Sequence, residues 1–266
     1  MSMIDLIKAL ALGLIGGVTQ LVPVSAAGHL VLAQRFLGLE GGASGILLVE
    51  LGAWLALLAV YFTRLLGLAV AATHDPPARR FLVGILVAFL PAALLGALAH
   101  DLIGGLLSNV WVICFALIVG GAVLLWVDQP ERKARYQEAQ GFPLTMYLAI
   151  GIAQCLALVP GVSRSGASIV AAMLLGAERR AATDFSLWLA LPTLAGALAI
   201  ELYRSGAPLS PDNALMAAIV LASSFVAAWL VVRSLVDYVA MRGLALFAWW
   251  RVLAGSLGLI ALALGR

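Results

Sequence analysis

Long apolar stretches cut by short clusters of charge set the pattern of this chain. Residues 45–62 are apolar apart from Glu50, and residues 81–99, 102–127, 184–203, 213–232 and 243–264 form five more apolar runs. Each is close to the ~20 residues with which an α-helix crosses a bilayer. Two further stretches, 9–34 and 144–176, are equally apolar but carry breakers. Pro23, Ser25 and Gly28 interrupt the first; Pro160, Gly161, Ser163, Arg164 and Gly166 interrupt the second. Each has ~30 residues, too few for two spans and too polar at its centre for one. Non-helical backbone at membrane depth persists only when buried in protein or lining a wet cavity. Each broken stretch is therefore predicted to be a re-entrant helical hairpin, returning to the side it entered.

The resulting order is one broken stretch and three spans, then the same again. Leu21-Val22-Pro23-Val24-Ser25-Ala26-Ala27-Gly28 resembles Leu158-Val159-Pro160-Gly161-Val162-Ser163-Arg164-Ser165-Gly166 with one insertion, and Trp54-Leu55-Ala56-Leu57 matches Trp188-Leu189-Ala190-Leu191. An acid precedes each tryptophan by four residues, Glu50 and Asp184. The predicted fold is an all-α polytopic membrane protein, a single domain over 1–266. It has six transmembrane helices and two re-entrant hairpins, with a first repeat at 1–127 and a second at 144–266. Three spans per repeat is odd, so the second repeat is inverted and the hairpin tips can meet near the midplane. In inverted-repeat folds, matching interrupted segments point to the binding site.

Composition narrows the class. Of 266 residues, 64% are hydrophobic and 11% charged, and mean hydropathy is +1.08. A soluble domain carries ~25% charged residues, so a soluble enzyme, a disordered chain and a nucleic-acid binder are excluded. Cys114 and Cys155 lie in apolar runs and fit no disulfide or metal spacing. The net charge of +3 matters less than its placement. The loops near 63–80, 128–143, 177–183 and 233–242 hold Arg64, Arg79, Arg80, Arg132, Lys133, Arg135, Arg179, Arg180, Arg233 and Arg242. The other side holds Lys8, Arg35, Arg204 and Arg266. The positive-inside rule makes the richer side cytoplasmic. Both termini and the first hairpin's mouth are then expected on the periplasmic side. Val24-Ser25-Ala26 resembles a signal-peptide cleavage site, but the apolar run is long for one and its n-region weak.

The second break reads as an oxyanion site. Small residues let a ligand approach the backbone, and Ser163, Ser165 and the Arg164 guanidinium suit a phosphate. A helix restarting after Gly166 would add free N–H groups. An arginine inside an apolar segment is expensive, so function is its default reading, with a structural ion pair as the alternative. His29 is the only histidine in a broken stretch and follows Ser25 by four residues. That spacing allows a general acid or base beside a serine. His74 and His100 stand beside loop acids and are read as interfacial.

Gly16-Gly17-Val18-Thr19-Gln20-Leu21-Val22-Pro23-Val24-Ser25-Ala26-Ala27-Gly28-His29-Leu30 and Gln154-Cys155-Leu156-Ala157-Leu158-Val159-Pro160-Gly161-Val162-Ser163-Arg164-Ser165-Gly166 together resemble the bacitracin-resistance family of undecaprenyl pyrophosphate phosphatases. Asp184-Phe185-Ser186, Leu51-Gly52 and Trp250-Arg251 extend the likeness along the chain. The resemblance implies six spans and two re-entrant hairpins. It also implies removal of the terminal phosphate of undecaprenyl diphosphate at the outer face of the inner membrane, which recycles the cell-wall lipid carrier. His29 corresponds to the family's catalytic histidine, Arg164 to its phosphate-binding arginine and Ser25 to the first serine of its Val-Ser-Ser. Ser163, Ser165, Gly161, Gly166, Gln20 and Gln154 are the expected substrate-binding residues. The implied partners are a polyprenyl phosphate lipid and the membrane, with room for a homodimer.

The family's first motif usually reads Glu-Gly-x-Thr-Glu; Gly16 and Gln20 stand in the places of its glutamates, and Ala26 replaces the second serine. In the first span the usual acid and Gln are Ile46 and Glu50. The family uses a divalent cation, Mg²⁺ or Ca²⁺. A neutral Gln gives a cation an oxygen but no charge, so metal binding is expected to be weakened or lost, with Glu50 as the remaining candidate ligand. Two functions follow: a hydrolase with altered metal use, in which Ser25 or a water attacks, or a non-catalytic transporter or binder of a polyprenyl phosphate on the same fold.

Overall fold

The computed structural model describes residues 3–39, 42–98, 109–129, 134–205 and 214–265. His100, positions 102–108 of the third expected span, Arg132, Lys133, the side chain of Arg204, and Arg266 lie outside the described residues. Ten α-helices are described: α1 Met3–Leu21, α2 Ala26–Leu37, α3 Gly42–Ala71, α4 Pro76–Leu98, α5 Val110–Val127, α6 Leu144–Gln154, α7 Arg164–Leu174, α8 Arg179–Ser205, α9 Ala214–Arg242 and α10 Ala245–Ala263. Among the described residues no strand occurs, only an isolated pairing of Tyr136 with Ala177. The chain is an all-α, multi-pass membrane protein.

Among the described residues, seven helices are long and apolar enough to cross a membrane. Six are the expected spans. The seventh is α1, the first limb of the first broken stretch. Several helices outrun the apolar runs that announced them. α3 continues past Arg64 to Ala71, and α9 continues to Arg242. Charge marks where the apolar surface ends. It does not stop a helix, because Arg and Lys are good helix formers. The loops expected at 63–80 and 233–242 are thus largely helical.

The breaks fall where the sequence put them. α1 stops at Leu21, and α2 restarts at Ala26 behind Ser25, whose side chain accepts from the Gly28 N–H. Gly38 ends α2 in the left-handed conformation (φ 61°), its N–H bonded to the Ala33 carbonyl. In the second stretch α6 ends at Gln154, a 3₁₀ turn covers Cys155–Leu158, and α7 begins at Arg164. This restart precedes the one expected after Gly166. Ser163 adopts extended backbone and its hydroxyl takes the Gly166 N–H at 3.1 Å. A serine N-cap of this kind fixes where the helix begins.

Both broken stretches fold back. Ala9 and Leu12 of α1 cluster with Leu30 and Ala33 of α2. For the second stretch, the Arg135 and Tyr136 N–H groups donate to the Gly176 carbonyl, and the Glu178 N–H donates to that of Tyr136. The strand-like clasp joins the approach to α6 with the exit from α7.

The Arg-rich loops meet at one end of the helix array. Arg64 forms a bidentate pair with Asp184 (2.8 and 3.0 Å), which also accepts from the Tyr61 hydroxyl. Arg179 pairs with Asp128 at 2.6 Å and Arg180 with Asp237 at 2.8 Å. Beneath them Phe81, Phe142, Tyr147, Phe185 and Trp188 form a buried aromatic cluster. Elsewhere the helices approach through small residues, as packing in lipid requires. A Cβ on Gly17 would strike the Ser224 backbone, and one on Gly151 the Ala88 backbone.

Candidate active site

The two breaks meet at the centre of the protein. The Ser165 hydroxyl donates to the Val22 carbonyl at 2.8 Å and lies 3.1 Å from that of Ser163. A Cβ on Gly28, at the start of α2, would come 3.4 Å from the Gly161 Cα. Gly161 has φ 91°, a conformation that glycine adopts without penalty. Its close seat against the Ile113 carbonyl leaves no room for a side chain.

Arg251 of α10, only 2% exposed, holds both breaks. Its Nη1 donates to the Pro23 carbonyl (3.2 Å), Nη2 to those of Ala116 (3.1 Å) and Gly161 (3.0 Å), and Nε to that of Leu117 (3.3 Å). A break in a helix frees backbone carbonyls that hydrocarbon cannot solvate. One planar guanidinium, with five donors in a fixed fork, satisfies two of them at once. Gly120 makes room, since a Cβ there would overlap the guanidinium.

Ser25 is the one described non-glycine residue with positive φ (77°, ψ 94°). Such strain persists only where surrounding structure enforces it, and here the residue is buried at the tip. Its hydroxyl caps the Gly28 N–H at 3.4 Å. His29, also buried, lies one turn into α2, with Nδ1 2.8 Å from the Ser25 carbonyl and Nε2 2.7 Å from the Trp250 indole nitrogen. The histidine therefore stands beside the serine as expected, but it bonds the serine's carbonyl rather than its hydroxyl.

Arg164 is the first residue of α7, and its guanidinium reaches α8. Nη1 donates to the Ser186 carbonyl at 3.5 Å, while Nη2 is buried without a partner. Ser168 ties the same region together, its hydroxyl donating to that of Ser186 at 2.8 Å. Glu50 on α3 lies within electrostatic reach of Arg164 and of Glu201 on α8, and among the described residues it forms no ion pair with Arg164. Gln154, at the end of α6, is 2% exposed, and neither amide atom has a partner. Two side chains flanking the second break thus keep buried, unspent hydrogen-bonding capacity, which ordinary packing does not leave. Arg164 and Gln154 supply N–H donors suited to phosphoryl oxygens, and the Gln154 carbonyl can accept from a hydroxyl or water. Gln20, on the last turn of α1, is half-buried.

Among the described residues no three His, Cys, Asp or Glu side chains gather as a metal-holding group. This donor set does not fit a divalent cation held by the protein alone.

Trp250, Arg251 and Glu201 were not singled out as site residues from sequence. Arg251 carried a usable signal, being an arginine in an otherwise uncharged span. Trp250 carried none, because aromatic residues are common on lipid-facing helices.

The profile of the family described as bacitracin resistance protein BacA matches residues 9–257. Among curated relatives, an undecaprenyl-diphosphatase of Rhodopseudomonas palustris (strain BisA53) is 55% identical, covering 98% of this chain and 99% of its own length. Proteins of the same name from Afipia carboxidovorans and Bradyrhizobium sp. (strain ORS 278) are 53% and 52% identical, covering 98% and 99% of this chain and 98% and 100% of their own lengths. The chain belongs to the BacA family of bacitracin resistance proteins.

Proposed function

We propose that this protein hydrolyses undecaprenyl diphosphate to the monophosphate and inorganic phosphate. The observation that carries this reading is the buried, unpartnered Nη2 of Arg164 at the start of a helix, with an equally unpartnered Gln154 on the other flank of the second break. Both would grip the terminal phosphoryl group, and the guanidinium would stabilise charge as the anhydride bond breaks. The names of the relatives support the substrate.

The His29 geometry favours water over Ser25 as nucleophile. Indole nitrogen can only donate, so Nε2 of His29 accepts and the ring proton sits on Nδ1, bonded to the Ser25 carbonyl. The base nitrogen is therefore Nε2, and Ser25 orients the ring. Water oxygen attacks the terminal phosphorus while its proton passes to Nε2. The bond from phosphorus to the bridging oxygen breaks, and undecaprenyl monophosphate leaves.

The re-entrant reading of both broken stretches is supported by their folding back on themselves. The two-repeat reading is supported by packing: α1 lies on α9 as α6 lies on α4, exchanging equivalent helices between the halves. The gathering of the Arg-rich loops at one end supports a cytoplasmic face there. The catalytic tip would then be reached from the periplasmic side of the inner membrane, where the lipid carrier is recycled. Phosphate release by purified protein from undecaprenyl diphosphate, with Mg²⁺ and with chelator, tests this. Lipid binding without release would favour the carrier function.

A further inference from the structure

His29 offers a single lone pair to a reacting water, and that lone pair is engaged. The Trp250 indole N–H donates to Nε2 at 2.7 Å. The two rings lie within 12° of parallel with centroids 6.1 Å apart, the geometry of an in-plane N–H···N bond rather than of a face-to-face stack. Trp250 is itself half exposed, on a strip of α10 where Leu246, Trp249, Leu253 and Leu257 also face outward. α10 meets α2 again where a Cβ on Gly258 would come 3.5 Å from the Leu32 side chain. The indole thus bridges the buried imidazole and the apolar exterior, at the seam between α2 and α10.

We propose that Trp250 is a positioning and specificity-determining residue, a latch that holds His29 out of action until a long isoprenoid chain displaces the indole. The proposal rests on the hydrolase reading above. A polyprenyl chain lying along the exposed strip of α10 would take over the apolar contacts of the indole plane. The indole would then swing off Nε2, and the lone pair would become available beside the bound diphosphate. A diphosphate on a short chain fills the phosphate grip but cannot reach the strip. The device couples chemistry to chain length without any contact between Trp250 and the reacting atoms.

The test uses purified protein in detergent with undecaprenyl diphosphate and farnesyl diphosphate as substrates. The wild type should turn over the long chain with much the higher kcat. Trp250→Phe keeps an aromatic ring but loses the donor. It should raise kcat for farnesyl diphosphate about fivefold, the factor one neutral hydrogen bond typically commands, and leave the long-chain kcat little changed. Trp250→Leu should behave the same way. A parallel loss on both substrates, or an unchanged ratio between them, would overturn the latch and leave the hydrolase reading standing. If the wild type cleaves neither substrate, the hydrolase reading falls, and the latch is read from the Trp250 indole N–H resonance, identified by its loss in Trp250→Phe. That resonance should move in His29→Ala and on adding undecaprenyl diphosphate, but not with farnesyl diphosphate. A resonance indifferent to undecaprenyl diphosphate would reject the latch.

Discussion

The hydroxyl of Ser165 donates to the carbonyl oxygen of Val22 at 2.8 Å, joining residues 143 positions apart. Val22 lies in the first break, where its carbonyl also accepts from the Val24 N–H at 2.8 Å. Ser165 lies in the first turn of α7, just past the second break. The second interruption therefore supplies a donor to the first, and the two tips are joined through it.

Replacing Ser165 with Ala should strip the buried Val22 carbonyl of its donor from the second break and leave it only the Val24 N–H, at a cost of about 0.5–1.5 kcal/mol. Thermal unfolding in detergent should show a lowered midpoint. Ser165→Thr, which keeps the hydroxyl, should recover part of it. Equal stability of Ala and wild-type proteins would mean that the bond contributes nothing.

Arg164→Ala should remove lipid diphosphate binding, since losing a desolvated charge-assisted contact costs ~2–5 kcal/mol. Arg164→Lys should rescue poorly. A point charge cannot hold the Ser186 carbonyl with one nitrogen and a phosphoryl oxygen with another. Equilibrium binding of the labelled lipid reads both variants, and wild-type affinity in Arg164→Ala would reject the assignment.

The replaced acids of the first motif make a different prediction. Without the two glutamates the first break contributes no pair of like charges to neutralise, so hydrolysis should persist in chelator. Gln20→Glu with Ala26→Ser should raise the rate and introduce dependence on Mg²⁺. Adding Gly16→Glu should unfold the protein, because any Cβ at Gly16 overlaps the buried, stiff Val49 side chain. Overpacking of that kind costs ~1–3 kcal/mol or more, and Val49→Ala should restore part of the lost stability. Complete loss of natural activity in chelator would instead direct attention to Glu50 and Glu201.

Topology can be read by labelling. In a protein with Cys114 and Cys155 replaced by Ala, Gln137→Cys should be shielded from membrane-impermeant thiol reagents in intact cells. A cysteine added after Arg266 should react. The opposite pattern would invert the orientation drawn from the Lys and Arg count.

Much of this architecture was legible in the residues. Helix breakers among apolar runs located both tips, because Pro23 and Pro160 cannot continue a hydrogen-bonded helix and the neighbouring serines cap new ones. Helix ends were less legible: Arg64 and Arg233 end an apolar surface while the backbone beneath them stays helical. The site was legible where chemistry and position coincide, as at Arg164 and His29. It was not where function depends on contact across the fold. Nothing near Trp250 in sequence announces that its N–H meets His29, 221 positions away. The small size of Gly16 likewise reads as a lost glutamate until Val49 is seen against it.

The Arg251 guanidinium also bears on what the protein can do in motion. A carrier that rocks its two halves past one another must part them at the centre once per cycle. Here that would withdraw a buried cation from three carbonyls of the first half, those of Pro23 at its tip and of Ala116 and Leu117 on α5. Each orphaned carbonyl would then face a medium without water. A hydrolase needs no such passage: a lipid that docks along the seam of α2 and α10 can enter and leave sideways while the joined tips stay fixed. Stillness at the midplane thus distinguishes the two functions this scaffold can host, and it favours cleavage.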